Sequence, residues 1–335
     1  MAESEAKKRN YNFDALKMVA AFMVCFQHAC GTGLISSELL ALSRIAVPEF
    51  MILTGFLYSD VCKRNNQKKQ IMRYIKISIV MFLVYFVYEL GLHFLRNDVG
   101  EYLTERFSIS SIVNFLLLNK PIAADHSWYM WAMIYTLLIC LIIPKIVAYR
   151  PMRIVCILIP LALQLIFGKY AILIWGKEFP SILTRNVWTV GFPYFLVGVE
   201  IRHSKFIKHS SKKYWTYCLL FSLLCIIEQR ILINTGLNAA RDSYIFTAPL
   251  AACFFMAFAT MRQLANDNTL VQWGIKYSLP FYILHPLLVK IEVRIFKMDT
   301  IEQYFGVLAV LVVSLLLSMM YYWISQRMPN KSKLR

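Results

Sequence analysis

Ten stretches of mainly apolar residues constrain the fold of this chain more than any other feature of its sequence. A helix needs roughly 20 mainly apolar residues to cross about 30 Å of hydrocarbon. Only 16% of the 335 residues are charged, whereas soluble domains carry about 25% charge. The sequence therefore predicts an all-α, polytopic membrane protein with about ten transmembrane helices, placed at 13–33, 44–62, 73–95, 128–148, 153–167, 186–201, 215–233, 244–261, 271–290 and 304–325.

The positive charges fall mainly in alternate loops. Lysine and arginine cluster before the first stretch and after the second, fourth, sixth and tenth, while the other loops mix both signs. By the positive-inside rule, the basic loops and both termini are predicted to be cytoplasmic. The net charge of +17 is therefore a topology signal, with some attraction to anionic lipid headgroups, and does not indicate a nucleic-acid partner.

No internal repeat, low-complexity tract or soluble domain interrupts this pattern. We predict one transmembrane domain over 1–335, with cytoplasmic tails at 1–12 and 327–335, and an amphipathic helix on the outer surface at 109–118. The first stretch contains Gln27 and His28 where a cleavage site would need small residues, so we expect it to be retained. The eight cysteines are scattered singly, without CxxC spacing, and we expect neither a disulfide framework nor a metal site.

His28 is an ionisable residue inside an apolar stretch, where such a group must be paired or hydrated. Lys17 precedes it by eleven residues, so at about 100° per residue both side chains share one helix face, roughly 16 Å apart along the axis. Asp14 falls on the same side. This stripe predicts a polar path from the cytoplasmic surface to a buried imidazole. Hydrogen bonding to a neighbouring helix is an equal alternative for a lone intramembrane histidine.

Two further histidines are predicted at a similar depth. His126 lies beside Asp125 and Trp128 at the start of the fourth stretch, and His285 lies toward the outer end of the ninth. Three histidines on three helices indicate a cavity, although an interfacial position in an aromatic belt explains His126 alone better than catalysis does.

Two cations, Arg73 and Lys76, open the third stretch. Arginine binds phosphate in bidentate fashion and lysine binds it as a point charge. Topology alone also explains both cations, and without other support it is the better explanation.

Several segments, taken in order over nearly the whole chain, resemble the acyltransferase 3 family of membrane enzymes, which acylate cell-envelope glycans and related acceptors. Members carry aspartate, arginine, ten residues and then histidine in the first helix; Asp14, Lys17 and His28 keep this spacing, with lysine replacing arginine. A segment like VPLFFxxSGF is matched at 47–56, where Glu49 replaces an apolar residue and Thr54 retains a hydroxyl. The remaining matches are RxxR at Arg73 and Lys76, HLWFL at 126–130, YFxxG at 194–198, and SxxxYxxH at Ser278, Tyr282 and His285.

The resemblance implies transfer of an acyl group, most often acetyl from acetyl-CoA, to a hydroxyl of an extracytoplasmic acceptor. The expected acceptor is a cell-envelope glycan or glycolipid precursor, and the expected location is the bacterial cytoplasmic membrane. Acetyl-CoA is then the donor substrate, and no tightly bound cofactor is expected. The residues implied are His28 as general base or acyl relay, with His126 and His285 beside it; Lys17, Arg73 and Lys76 for the CoA phosphates; and Asp14, Glu49, Thr54, Asp125, Trp128 and Tyr282 for substrate.

Two other classes of function stay open. An exporter or flippase would move a glycan, a lipid-linked intermediate or an acyl compound through the same cavity without chemistry. A membrane module would instead serve a separate soluble partner. Acceptor-dependent release of free CoA would distinguish the enzyme from the exporter.

Overall fold

The structure is a computed structural model that describes residues 9–29, 34–205, 209–240, 243–295 and 302–327. All regular secondary structure in these ranges is helical, which confirms the all-α fold class. The α-helices are α1 (Tyr11–Ala29), α2 (Leu34–Ser43), α3 (Ala46–Lys63), α4 (Gln67–Arg96), α5 (Val99–Arg106), α6 (Ile109–Leu118), α7 (Trp128–Ile142), α8 (Lys145–Ala148), α9 (Arg150–Ile166), α10 (Ala171–Trp175), α11 (Phe192–His203), α12 (Ser211–Asn234), α13 (Thr247–Thr260), α14 (Thr269–Lys276), α15 (Ser278–Ile295) and α16 (Glu302–Arg327).

Four helical segments of the described chain are long and apolar enough to cross a membrane, with mean hydropathies between 1.6 and 2.3. Three shorter apolar helices accompany them. On α4, Val80, Leu83 and Val87 are exposed, an arrangement suited to lipid chains, since large apolar faces are rarely left to water. The four segments are Ser37–Lys63, Gln67–Arg96, Ser211–Asn234 and Phe305–Arg327, while the count of ten spans and the side of each terminus stay predictions.

Three of the predicted helices are interrupted. The fourth stretch splits into α7 and α8 around Pro144, because proline lacks the N–H for a helical hydrogen bond and its ring clashes with the preceding turn. The ninth divides at Tyr277 into α14 and α15, and the sixth begins with a π-helical turn, Val187–Gly191, before α11. The segment 109–118 forms α6 with the predicted bounds, whereas α2, α5 and α10 are short helices that hydropathy did not indicate.

The chain divides into two compact units. The first comprises Met1–Ala46, Lys208–Cys218 and Cys253–Arg335. In this unit α1 packs against α14, α15 and α16. Phe22 on α1 meets Phe281 edge to face, with ring centroids 5.3 Å apart. These contacts bury one side of α1 and fix its rotation about its own axis.

The second unit comprises Val47–Ile207 and Leu219–Ala252. Its α3 and α11 cross at two glycines. A Cβ on Gly55 would lie 1.9 Å from the Phe195 carbonyl oxygen, and one on Gly198 would lie 2.0 Å from the Ile52 carbonyl oxygen. Real Cβ atoms do not approach backbone so closely, so any larger residue at either position would force the two helices apart.

Candidate functional site

Asp14 is the buried centre of an ion cluster at the start of α1. Its carboxylate accepts two hydrogen bonds from the Arg9 guanidinium, 2.6 Å from Nε and 2.9 Å from Nη2. Lys17 Nζ lies 2.6 Å from the same carboxylate. The bond to Asp14 raises the pKa of Arg9 above its ordinary value. The charge of Lys17, which the sequence assigned to CoA phosphates, is thus shared with Asp14.

Arg9 was missed by the sequence reasoning, which counted it only as a topology charge. The Arg9 guanidinium makes two parallel hydrogen bonds to the Asp14 carboxylate, a contact that the single ammonium of Lys17 cannot make. The only available signal was its spacing of five residues from Asp14. Nothing in the local sequence says that the chain before α1 turns back toward that carboxylate.

The start of α1 is also tied to the segment after α13. Asn12 is 1% exposed, its Nδ2 donates to the Met261 carbonyl at 3.1 Å, and its Oδ1 accepts from the Leu264 backbone N–H at 2.8 Å. Gln263 Nε2 donates to the Arg9 carbonyl at 2.7 Å. These partners, about 250 residues away along the chain, could not be found from sequence spacing.

We expect Asp14→Asn to destabilise the protein, because the amide keeps the carboxylate's shape while leaving Arg9 and Lys17 without their counter-charge. Hydrogen bonds between charged groups contribute roughly 2 kcal/mol, so the thermal midpoint in detergent should fall by several degrees. Asp267→Asn, the same change at an exposed carboxylate of the same unit, should leave the midpoint unchanged. Equal midpoints for both variants would mean that the ion cluster contributes nothing to stability.

Two of the three predicted histidines meet in the first unit. His28, in the last turn of α1, and His285, on α15, have ring centroids 5.5 Å apart and ring planes 39° apart. His285 is fully buried, and its Nδ1 lies 3.2 Å from the Phe281 carbonyl oxygen. A carbonyl only accepts, so Nδ1 carries the proton, and in the neutral ring Nε2 is an acceptor.

The expectation that His28 is buried was wrong, since its side chain is exposed. It lies in the last turn of α1, one residue before the helix ends at Ala29, beyond the turns that Phe22 and its neighbours pack against. The adjacent Gln27 is held by a hydrogen bond from its amide to the Ser43 carbonyl. The imidazole is therefore accessible to a substrate while its helix turn is anchored.

Tyr282 lies on the buried side of this histidine pair. Its side chain is 6% exposed, and its ring centroid lies 5.8 Å from that of His285. Phe281 stacks near His285 with centroids 6.1 Å apart. The two aromatic rings hold His285 in place, whereas the exposed face of the pair belongs to His28.

The third predicted histidine, His126, lies in the second unit. It belongs to a one-turn 3₁₀ helix, Asp125–Ser127, directly before α7, and its ring centroid lies 4.2 Å from that of Tyr85. The Trp128 carbonyl accepts a hydrogen bond from Asn119 Nδ2 at 3.0 Å. The aromatic environment suits the interfacial position weighed above, and its sharing a cavity with His28 stays a prediction.

Asp125 belongs to an ionic network with α4 and α5. Arg106 lies 3.3 Å from the Asp125 carboxylate and 3.6 Å from that of Glu89. Burial works against the charged guanidinium, but the two carboxylates outweigh it and raise the pKa of Arg106. Burial, reinforced by Glu89, raises the pKa of Tyr102 to about 12. The start of α7 therefore carries a polar cluster that is joined to α4 and α5 by ion pairs.

The remaining predicted site residues lie on α3 and α4 of the second unit. Glu49 is 1% exposed, and neither of its carboxylate oxygens has a hydrogen-bond partner among the described residues. The Thr54 hydroxyl donates a hydrogen bond to the Phe50 carbonyl oxygen at 2.9 Å. Arg73 and Lys76 are exposed and lie one turn apart on α4, so they can reach one ligand; phosphate binding by them stays a prediction.

Comparison with protein families decides the class of protein. The family model for the acyltransferase domain of the acyltransferase 3 family matches residues 10–323, nearly the whole chain. The chain belongs to the acyltransferase 3 family. No curated protein and no solved structure matches it. The resemblance drawn from the motifs is thereby confirmed, and the protein is a membrane acyltransferase.

The geometry of this acyltransferase explains why its family segments occur together. The first-helix residues and the SxxxYxxH segment meet in one unit, where they bring His28 to His285. The glycines of the second and fifth segments, Gly55 and Gly198, are the two points at which α3 and α11 touch. Some motif positions thus bring polar side chains together, while others are glycine at points where two backbones touch.

Proposed function

We propose that this acyltransferase moves an acetyl or other acyl group from cytoplasmic acyl-CoA to a hydroxyl of an extracytoplasmic acceptor. The acceptor would be a cell-envelope glycan or its precursor, and the enzyme would reside in the bacterial cytoplasmic membrane. The observation that carries the proposal is the histidine pair, with His28 accessible and His285 buried 5.5 Å away between ring centroids.

His28 is proposed as the group that moves the proton. It takes the proton of the acceptor hydroxyl as that oxygen attacks the thioester carbonyl carbon. The carbon–sulfur bond then breaks, and the proton passes to the departing thiolate to give free CoA. An imidazole suits this task because its ordinary pKa lies near the working pH. His28 as a covalent acyl carrier is the second form of the same proposal.

His285 is proposed as a positioning residue, because it is fully buried and cannot contact a substrate from solvent. Its hydrogen bond to the Phe281 carbonyl fixes both its tautomer and its ring orientation. A neutral Nε2 on the ring beside His28 would favour the imidazolium that forms there during transfer. Tyr282 supports this arrangement through packing.

The donor and acceptor contacts rest on charge and chemistry. CoA carries several phosphate charges, for which Arg73 and Lys76 are exposed cations on α4, and Lys17 retains an accessible ammonium with 31% of its side chain exposed. On the acceptor side, Asp125, Trp128 and His126 offer carboxylate, indole and imidazole groups at the start of α7. About ten spans, with both termini in the cytoplasm, would place the basic loops on the donor side.

Release of free CoA tests this proposal against transport. Purified protein in liposomes, given acetyl-CoA and a cell-envelope glycan, should release free thiol at a rate that depends on the glycan. The same liposomes without glycan provide the background. An exporter or flippase would move the glycan across the bilayer and leave acetyl-CoA intact, and that result would overturn the proposal.

A further inference from the structure

A cavity of about 670 Å³ lies within the second unit, at the ends of α3, α7 and α11. Its volume falls in the range typical of small-molecule sites. The break between α7 and α8 helps to form it, because Leu141, Pro144, Val147 and Ala148 line one side. None of the residues assigned above to acyl transfer lines this cavity.

The other side of the cavity is polar and basic. Lys63, Arg202 and His203 line it, together with Ser59 and Gln67. Lys63 is exposed and forms no ion pair within the described residues. Lys63 ends α3 and His203 ends α11, so the basic part of the cavity lies at helix ends that are predicted to be cytoplasmic.

Arg202 is held in place with part of its hydrogen-bonding capacity unused. Its Nη2 lies 3.2 Å from an Asp60 carboxylate oxygen, and its guanidinium carbon lies 5.0 Å from the Phe56 ring centroid. Within the part of the chain that the structure describes, its side-chain hydrogen bonds engage Nη2 alone. A guanidinium has five N–H donors, so Nε and Nη1 can still bind an anion.

We propose that this cavity binds a phosphate-bearing amphiphile, with the phosphate on Lys63 and Arg202 and the apolar part against the α7–α8 break. Arginine and lysine together favour phosphate through paired and point-charge contacts, and the apolar wall selects an attached chain over a free inorganic anion. Two sources share this chemistry: CoA and its thioesters, and the phospholipids of the membrane.

Calorimetric titration of lipid-depleted protein in detergent, without any acceptor, separates these sources. One arm uses CoA, and the other uses short-chain phosphatidylglycerol with phosphatidylcholine of equal chain length as its comparison. Binding of CoA that Lys63→Gln weakens assigns the cavity to CoA, and binding of phosphatidylglycerol that Lys63→Gln weakens assigns it to lipid. Binding of neither compound overturns the proposal.

Three variants test whether the compound binds in this cavity. Lys63→Gln should weaken binding of the compound about tenfold, a loss of about 1.4 kcal/mol, because it removes one charge-assisted hydrogen bond. Ala148→Trp should block binding by filling part of the cavity, without changing its charge. Lys145→Gln, which removes an exposed cation of α8 that does not line the cavity, is the control for Lys63→Gln. If both lysine variants weakened binding equally, the effect would come from the general positive charge of the protein, and the proposed site would be refuted.

A native thiol gives an independent readout. Cys62 lines the cavity, whereas Cys156 is partly exposed elsewhere. The bound compound should slow alkylation of Cys62, measured by peptide mass spectrometry, and leave Cys156 unaffected. These measurements involve no acyl transfer, so the cavity proposal can fail while the proposed function stands, and the reverse also holds. Binding that leaves Cys62 alkylation unchanged would place the compound elsewhere.

Discussion

His28→Ala should reduce the rate of acyl transfer by a factor of about 10² to 10⁴, the contribution typical of a positioned general base. The variant should stay folded and inserted, because His28 is exposed and alanine favours a helix more than histidine does. The initial rate of acceptor acylation in reconstituted liposomes measures the loss. Far-ultraviolet circular dichroism of the same sample measures the retained helix.

His209→Ala is the matched control, since it removes an exposed histidine to which no role is assigned, and it should leave the rate unchanged. A folded His28→Ala variant with normal transfer would remove His28 from the mechanism. Wild-type protein incubated with acetyl-CoA but no acceptor then separates the two roles. Acetyl recovered on the His28 peptide would support the covalent relay, and unmodified peptide would support general base catalysis.

Features of the fold that depend on neighbouring residues in the sequence could be predicted better than features that depend on distant ones. Hydropathy identified most helices, and the bounds of α6 agree with the predicted amphipathic segment. The separation of α7 from α8 was missed even though Pro144 was visible, because the hydrophobic pattern continues across the break. Local patterns thus predicted which segments are helical better than where each one ends.

The sequence indicated the two histidines that meet, but not the exposure of His28. Helical spacing and the family motifs indicated His28 and His285, and the structure brings their rings together. Burial of His28 was inferred from an apolar helix, but burial depends on which turns have neighbours. The contact of Arg9 with Asp14 likewise depends on how the chain turns before α1, which no periodicity encodes.

Gly274→Ala should strongly destabilise the first unit. A Cβ at this position would lie 1.8 Å from the Asp14 backbone carbonyl oxygen, so α14 would have to move away from α1. Overpacking of this kind costs about 3 kcal/mol when backbone rather than a flexible side chain must yield. The displacement would act at Asp14, so the thermal midpoint and the rate of acyl transfer should fall together.

Gly91→Ala provides the matched control for this effect. Gly91 is also helical, but a Cβ there would meet nothing within 4 Å, so replacing glycine should stabilise α4 by up to about 1 kcal/mol. Thermal unfolding in detergent should therefore shift in opposite directions for the two variants. A Gly274→Ala protein as stable as wild type would show that the backbones of α1 and α14 are not in contact. Packing of α14 could then not be what holds Asp14 in position.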